Sequence, residues 1–359
     1  MIIYVILLML SVTLLFFSRK LIEKNKYASS LLYIISIFLF TLVAGLRWNV
    51  GTDFLMYDSF FEIFKNRLSF SLQLEPAFII ICFITGKFCN SSFLAFFTIG
   101  LFIYYFVFKA CKKSCTYYDV AIFLFICFGF FFSSLNVIRQ WMAISVLLNV
   151  YADLDKKISF KQIAQIVLAI MCHYTAIFVI PFIFLAKKIS KEKTRVILII
   201  LFILFYCFSS KILPILFGVL SNISMFAKYE KYATTKNYLN ASFIFPAICL
   251  MIYFLYILFS KKGCQKDVLL EKMINLIIFA FGFSLIGTNI DIIERISQYF
   301  LSSLIIVLPI IYDCIKIPFN KKFVATCIII LGVAFFVNTM NNNGGEILPY
   351  QTRGGLYFK

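Results

Sequence analysis

Long apolar runs alternate with short polar stretches along almost the whole chain. The runs lie at about 2–17, 29–46, 91–108, 119–133, 136–152, 160–186, 195–209, 241–259, 271–287, 295–312 and 323–338. A helix of roughly 20 apolar residues crosses a bilayer core of about 30 Å, so the pattern predicts a succession of membrane helices. The polar stretches are punctuated by six basic clusters. These are Arg19, Lys20, Lys24 and Lys26; Lys109, Lys112 and Lys113; and Lys156, Lys157 and Lys161. They continue with Lys187, Lys188, Lys191, Lys193 and Arg195; Lys261, Lys262, Lys266 and Lys272; then Lys316, Lys321 and Lys322. Assigning all six to the cytoplasm by the positive-inside rule puts 22 of the 34 basic residues there and the N-terminus outside.

Two runs need separate treatment. Residues 160–186 are flanked by basic clusters on both sides, and one straight helix of that length would reach about 40 Å. Two short helices meeting near His173 return the chain to the cytoplasm. Residues 75–89 are apolar, yet a full crossing there would export the Lys109 cluster. That stretch reads as a helix lying on, or dipping into, the outer face, with Pro76 in its first turn. The expectation is an all-α polytopic membrane protein, a single integral membrane domain over 1–359. It has about twelve passes (11–13) and both termini outside. An outer loop at 47–92 carries the re-entrant or interfacial helix, a second outer loop lies at 210–240, and an outer tail at 339–359.

Composition agrees with a membrane protein. Apolar residues make up 62%, aromatic residues 19% and charged residues 14%, with a mean hydropathy of +0.96. Soluble domains carry about 25% charged residues. The net charge of +18 would suit nucleic acid, but its clustering between apolar runs is what cytoplasmic loops show, so no nucleic-acid partner is expected. The 11 cysteines are scattered, mostly within apolar runs, and the chain has one histidine, so no metal site is expected. The N-terminal run has no basic n-region and no small-residue cleavage site, and reads as a retained span. The one low-complexity stretch, NNNGG at 341–345, reads as a flexible connection.

Against this background Arg47, Arg139, His173 and Arg295 stand out, because each lies within or at the end of an apolar run. Charge in a membrane segment is costly and usually pairs or lines a cavity. In this topology all four fall on the outer side. GLRWNVGTDFLMYDSFFE (45–62) sets Arg47 beside Gly51, Asp53, Tyr57 and Asp58; the plainer reading is an interfacial Arg–Trp anchor. FFFSSLNVIRQWMAISVLL (130–148) puts Arg139 and Gln140 together at a helix start. Snorkelling explains Arg139 alone, but Gln140 also needs a partner, which favours a polar cavity. His173, beside Tyr174 and Thr175, is either a satisfied core residue or a group that titrates near neutrality. GTNIDIIERISQYF (287–300) sets Asp291, Glu294, Arg295 and Gln298 largely on one helical face, with Tyr299 beside them; an internal ion pair is the plainer reading there. Glu75 is a further outward carboxylate. In the tail, Tyr350 and Arg353 are placed to fold back over the outer loops.

Taken in order, these segments resemble the EpsG-like branch of the Wzy-type bacterial polysaccharide polymerases. The resemblance rests on Arg47 with Gly51, Asp53 and Tyr57, then Glu75-Pro76, Arg139-Gln140, and His173 followed by small residues and Pro181. Arg295 in a late helix and an Asn-rich tail with Pro349 and Tyr350 complete it. It covers nearly the whole chain, and its specificity lies in order rather than in any one motif. The resemblance implies a GT-C-like helical membrane fold that needs neither metal nor nucleotide sugar, with no other cofactor. It implies transfer of a glycan from undecaprenyl diphosphate onto the next lipid-linked repeat unit at the outer leaflet, making a capsule, O-antigen or exopolysaccharide. A chain-length regulator would be a protein partner, beside membrane lipids. Chemically, Arg47, Arg139 and Arg295 would bind the diphosphate in an outward cationic cavity, with Gln140, Tyr57, Tyr299 and Tyr350 as further substrate contacts. The base remains open among His173, Asp53, Glu75 and Glu294. An outer-leaflet ligase or single-sugar transferase would use the same arginines. A lipid-glycan flippase would be expected to show paired repeats, and none is evident.

Overall fold

A computed structural model describes the chain except for residues 71–73, 221–242, 261–267, 316, 356 and 359. Sixteen α-helices are described: α1 (Ile2–Leu21), α2 (Lys26–Leu46), α3 (Phe54–Phe64), α4 (Pro76–Phe88), α5 (Phe93–Ser114), α6 (Tyr118–Cys127), α7 (Phe130–Asn136) and α8 (Ile138–Tyr151). They continue with α9 (Phe160–Cys172), α10 (Ile180–Lys188), α11 (Glu192–Leu220), α12 (Ile244–Ser260), α13 (Val268–Gly287), α14 (Asp291–Leu301), α15 (Leu304–Cys314) and α16 (Pro318–Asn342). Two short tail strands, β1 (Tyr350–Gln351) and β2 (Tyr357–Phe358), pair antiparallel.

Six stretches among the described residues are long and apolar enough to cross a membrane: α1, α2, α5, α13, α16 and the continuous Asp291–Cys314. A seventh is formed if α6 and α7, bent by 59°, count as one span. The chain is a multi-pass membrane protein. The expected twelve passes also counted shorter runs: the apolar helices Phe160–Cys172 and Ile244–Leu258 have only 10–17 residues, as does Pro76–Phe88, which was expected to be re-entrant or interfacial and not a pass.

Several apolar runs are interrupted where backbone chemistry requires it. The run 119–133 breaks at Gly129, which takes φ +80°, a conformation that favours glycine. The run 160–186 breaks at His173: α9 ends at Cys172, a 3₁₀ turn spans Tyr174–Val179, and α10 begins with Pro181 in its first turn. The helix at 75–89 is present as α4, with Pro76 in its first turn. Other limits shift: α11 continues to Leu220 and α16 to Asn342, so helix occupies residues at the start of the 210–240 and 339–359 stretches. The rest of 210–240 lies outside the described residues, as do Lys261, Lys262, Lys266 and Lys316.

The described chain packs as two compact units. The first comprises residues 1–149, 167–174 and 316–359, and the second residues 150–166 and 175–315. In the first, α2 packs on α1 and α5, while α6 packs on α1, α5 and α16. Its core is aromatic: Phe40 lies edge-on to Phe108 and Phe131, at 5.1 and 5.2 Å between ring centroids. One group of cations gathers at one end of this unit. Arg19 forms a two-pronged salt bridge with Asp119 (both contacts 2.9 Å), Lys112 sits 4.2 Å from the Tyr33 ring centroid, and Lys321 sits 5.3 Å from that of Tyr117. The opposite ends of the same helices hold Tyr4, Arg47, Ser92 and the tail that follows α16.

In the second unit α13, buried along most of its length, packs on α10, α11, α12, α14 and α15. Some of its cations also gather at one end. Arg195, 2% exposed, bonds Asn275 (2.9 Å), Glu192 (2.9 Å) and Glu271 (3.2 Å), and Lys187 Nζ donates to the Lys156 carbonyl (2.6 Å).

Candidate functional site

The first unit brings together three of the residues singled out from sequence. Glu75 precedes Pro76 and therefore adopts extended backbone (φ −74°, ψ 138°), at the N-terminus of α4. A helix N-terminus favours a negative charge, so this position suits a carboxylate. Arg139 lies in the first turn of α8, just after the break at Val137. His173 is the first residue after α9, its N–H still bonded to the Ala169 carbonyl (2.9 Å). Arg139 Nη1 donates to Glu75 Oε2, and His173 Nδ1 lies 2.7 Å from Glu75 Oε1.

Burial grades these three side chains. Glu75 is fully buried, while Arg139 and His173 keep 14% and 13% of their side-chain surface exposed. The carboxylate is therefore internal and its two partners form the accessible face. Tyr57 of α3 completes the cluster: Arg139 lies 5.6 Å from its ring centroid, and the guanidinium bonds the phenol oxygen. Burial pushes the Tyr57 phenol above its ordinary range and Arg139 pulls it the other way. Arg139 Nε is buried and has no hydrogen-bond partner among the described residues. A pairing of this kind is costly to break from one side, about 3–5 kcal/mol, because it strands a buried charge.

Arg47 follows a different logic. It is 3% exposed, donates through Nη1 to the Leu135 carbonyl, and lies 5.2 Å from the Phe96 and 5.8 Å from the Phe54 ring centroid. Among the described residues it forms no ion pair. The tail after α16 folds back over it. Arg47 forms an antiparallel bridge with Thr352, Trp48 N–H donates to the Gln351 carbonyl (2.8 Å) and Gly51 N–H to the Glu346 carbonyl (2.9 Å). Tyr350, 1% exposed, donates its hydroxyl to the Val43 carbonyl (2.9 Å), and burial raises its pKa, so it stays a neutral phenol. Arg353 lies 4.2 Å from the Trp48 ring centroid and pairs with Asp58 (2.9 Å) and Ser92 (2.8 Å).

The other residues singled out are placed as follows. Gln140 is buried beside Arg139. Asp53 is half-buried at the start of α3 and accepts from Thr52 (3.4 Å). Glu294, Arg295 and Tyr299 belong to the second unit. There Glu294 and Arg295 are exposed on α14, while Tyr299 is fully buried with its hydroxyl 2.9 Å from that of Thr175.

Sequence reasoning passed over Asn136, whose Nδ2 donates to the Gly345 carbonyl (3.0 Å) and whose Oδ1 crowds Gly51. It also passed over Asp58 as the acceptor for Arg353, and over Arg195, taken for a loop cation. An opposite charge or amide at a helix end was the available signal in each case.

Comparison with known proteins bears on this arrangement. The model of the EpsG family matches residues 30–352, a span that contains every member of the Glu75–Arg139–His173 cluster. No curated protein and no solved structure matches the chain.

Proposed function

The chain belongs to the EpsG family, and so is a membrane-embedded protein of polysaccharide biosynthesis; from that premise we propose that it polymerises lipid-linked oligosaccharide repeat units. The donor glycan leaves its undecaprenyl diphosphate and joins the next lipid-linked unit at the outer leaflet of the cytoplasmic membrane. Arg139 carries this reading. Its guanidinium is held in place by Glu75 and Tyr57 and keeps part of its surface accessible. A fixed guanidinium matches phosphate geometry and needs no reorganisation as negative charge builds on the leaving diphosphate. Arg47 supports the loop that presents Tyr57 rather than touching substrate.

The test is polymerisation by purified protein in liposomes, using lipid-linked repeat units extracted from cells that lack this chain. Wild-type protein should give a ladder of glycan lengths. Arg139→Lys keeps a charge but loses the planar fork, and should lower the rate by about 10-fold or more; Arg139→Ala should lower it by about 100-fold or more, the range for losing one transition-state donor. Native rates from both variants would refute the reading. A single transferred chain in place of a ladder would mark a ligase.

A further inference from the structure

The sequence leaves the general base open among four residues, and the geometry separates them. Glu75 cannot meet a sugar hydroxyl: it is fully buried, with one oxygen on Arg139 and the other on His173. Asp53 accepts from its neighbour Thr52 and acts on Tyr57, but among the described residues no contact fixes it to Arg139 or His173. Glu294, exposed on α14, is not among the described contacts of Glu75, Arg139 or His173. His173 keeps part of its ring accessible and has one nitrogen fixed.

We infer that Glu75 is a positioning residue that holds His173 by Nδ1, so that Nε2 takes the proton of the attacking sugar hydroxyl, while the same carboxylate holds Arg139 for the departing diphosphate. This rests on the polymerase reading. A carboxylate paired with a guanidinium is ionised and accepts, so Nδ1 carries the hydrogen and Nε2 keeps its lone pair. In the transfer the acceptor O–H bond breaks, its proton going to Nε2 and its electron pair to the new bond with the anomeric carbon. The bond from the anomeric carbon to the diphosphate oxygen breaks, and its pair leaves on that oxygen. The imidazolium then gives its proton to water.

The charge count explains why one carboxylate serves both partners. Before transfer the one Glu75 carboxylate faces both the Arg139 guanidinium and the His173 ring. Proton transfer to His173 adds one positive charge beside Arg139 at the moment the leaving group becomes more negative. The attraction is therefore stronger in the transition state than in the ground state, which is the condition for raising kcat rather than lowering KM. Among the described residues the groups set around Glu75 include Arg139 of α8, Tyr57 of α3, and His173 with its neighbours Cys172 and Tyr174, and Asp53 acts on Tyr57 from the start of α3.

Two variants of the full chain in liposomes test the inference, with wild-type polymerisation as reference. His173→Asn keeps an N–H donor for Glu75 but offers no base. It should lower kcat by about 100-fold or more, the usual scale of a general base, while binding of undecaprenyl diphosphate changes by less than about 3-fold. Glu75→Gln keeps the shape and removes the charge. It should lower kcat while moving the acidic limb of the pH–rate profile to lower pH, because an imidazolium without its carboxylate is less favoured. A lost fold would not imitate this split, since binding and limb position are read on active, lipid-binding protein. If the wild type forms a ladder and His173→Asn keeps the native kcat, or if it loses lipid binding together with activity, the inference is overturned and the polymerase reading stands. If Glu75→Gln leaves the limb where it was, Glu75 is merely structural and the inference is likewise overturned. A wild type that forms no ladder overturns the polymerase reading, and this inference with it.

Discussion

Gly51 holds φ +99°, and a Cβ built on it would lie 2.3 Å from Asn136 Oδ1. Both facts act at the loop that presents Tyr57 and carries Asp53. Gly51→Ala should therefore cost about 1–3 kcal/mol from backbone strain alone, read as a lower midpoint of thermal unfolding in detergent. Adding Asn136→Ala should return only the steric part of that loss, because the φ penalty remains. An unchanged midpoint for Gly51→Ala would show that the turn is not under this constraint. The glycine and its turn were legible in the sequence; Asn136 was not, because its partners are 85 and 209 positions away in the chain. The four charged residues show the same division. Their cost in an apolar run marked them, but nothing local distinguished Arg47, held on a carbonyl and two rings, from Arg139, held on a carboxylate. That distinction comes from residues brought in by other helices.

At the scale of elements, α3 is a helix within a stretch that the apolar runs mark only as an outer loop. Phe54, Tyr57, Phe61 and Phe64 are its buried residues, and their spacing of three and four is a helical stripe hidden by the polar residues around it. The tail was read more fully, since Tyr350 and Arg353 do fold back on 47–58. Its attachment has two parts of unequal strength. Arg353 and Asp58 are both partly exposed, and exposed pairs contribute about 0.2–1 kcal/mol. The backbone bonds to Trp48 and Gly51, the Tyr350 hydroxyl on Val43, and the Tyr4 hydroxyl on the Ile347 carbonyl (2.9 Å) are internal. Leaving a buried donor or acceptor unmet costs about 1–3 kcal/mol each. Arg353→Ala should thus barely shift the unfolding midpoint, whereas deleting residues 344–359 should lower it by many degrees. Limited proteolysis of the 47–58 loop should accelerate only in the deletion. Equal effects from the two variants would place the attachment in the Arg353 ion pair instead.

On the scale of the whole chain, what orders the molecule is the separation of its charges along the helices. Within the first unit, Arg19, Lys112 and Lys321 meet at one end, and Arg47, Arg353 and the Arg139 cluster lie toward the other. Within the second, Arg195, Lys187, Lys156 and Lys272 meet at one end, Lys272 Nζ donating to the Ile189 carbonyl (3.2 Å). Arg195 is internally paired, so part of the net charge of +18 serves packing rather than orientation. By the positive-inside rule the lysine-bearing ends are expected in the cytoplasm. Glycosyl transfer from an outer-leaflet lipid requires the Arg139 cluster on the opposite side, so orientation tests the polymerase reading independently of any activity. Alkaline phosphatase inserted after Asn90, near Ser92 and Arg353, or fused after Lys359 should be active, and green fluorescent protein at those points dark. Green fluorescent protein inserted after Asp155, beside Lys156, should fluoresce, and alkaline phosphatase there should be inactive. A reversed pattern would put the cluster on the cytoplasmic side, out of reach of an outer-leaflet donor, and would end the proposed reaction even if Arg139 were essential for growth of the polysaccharide.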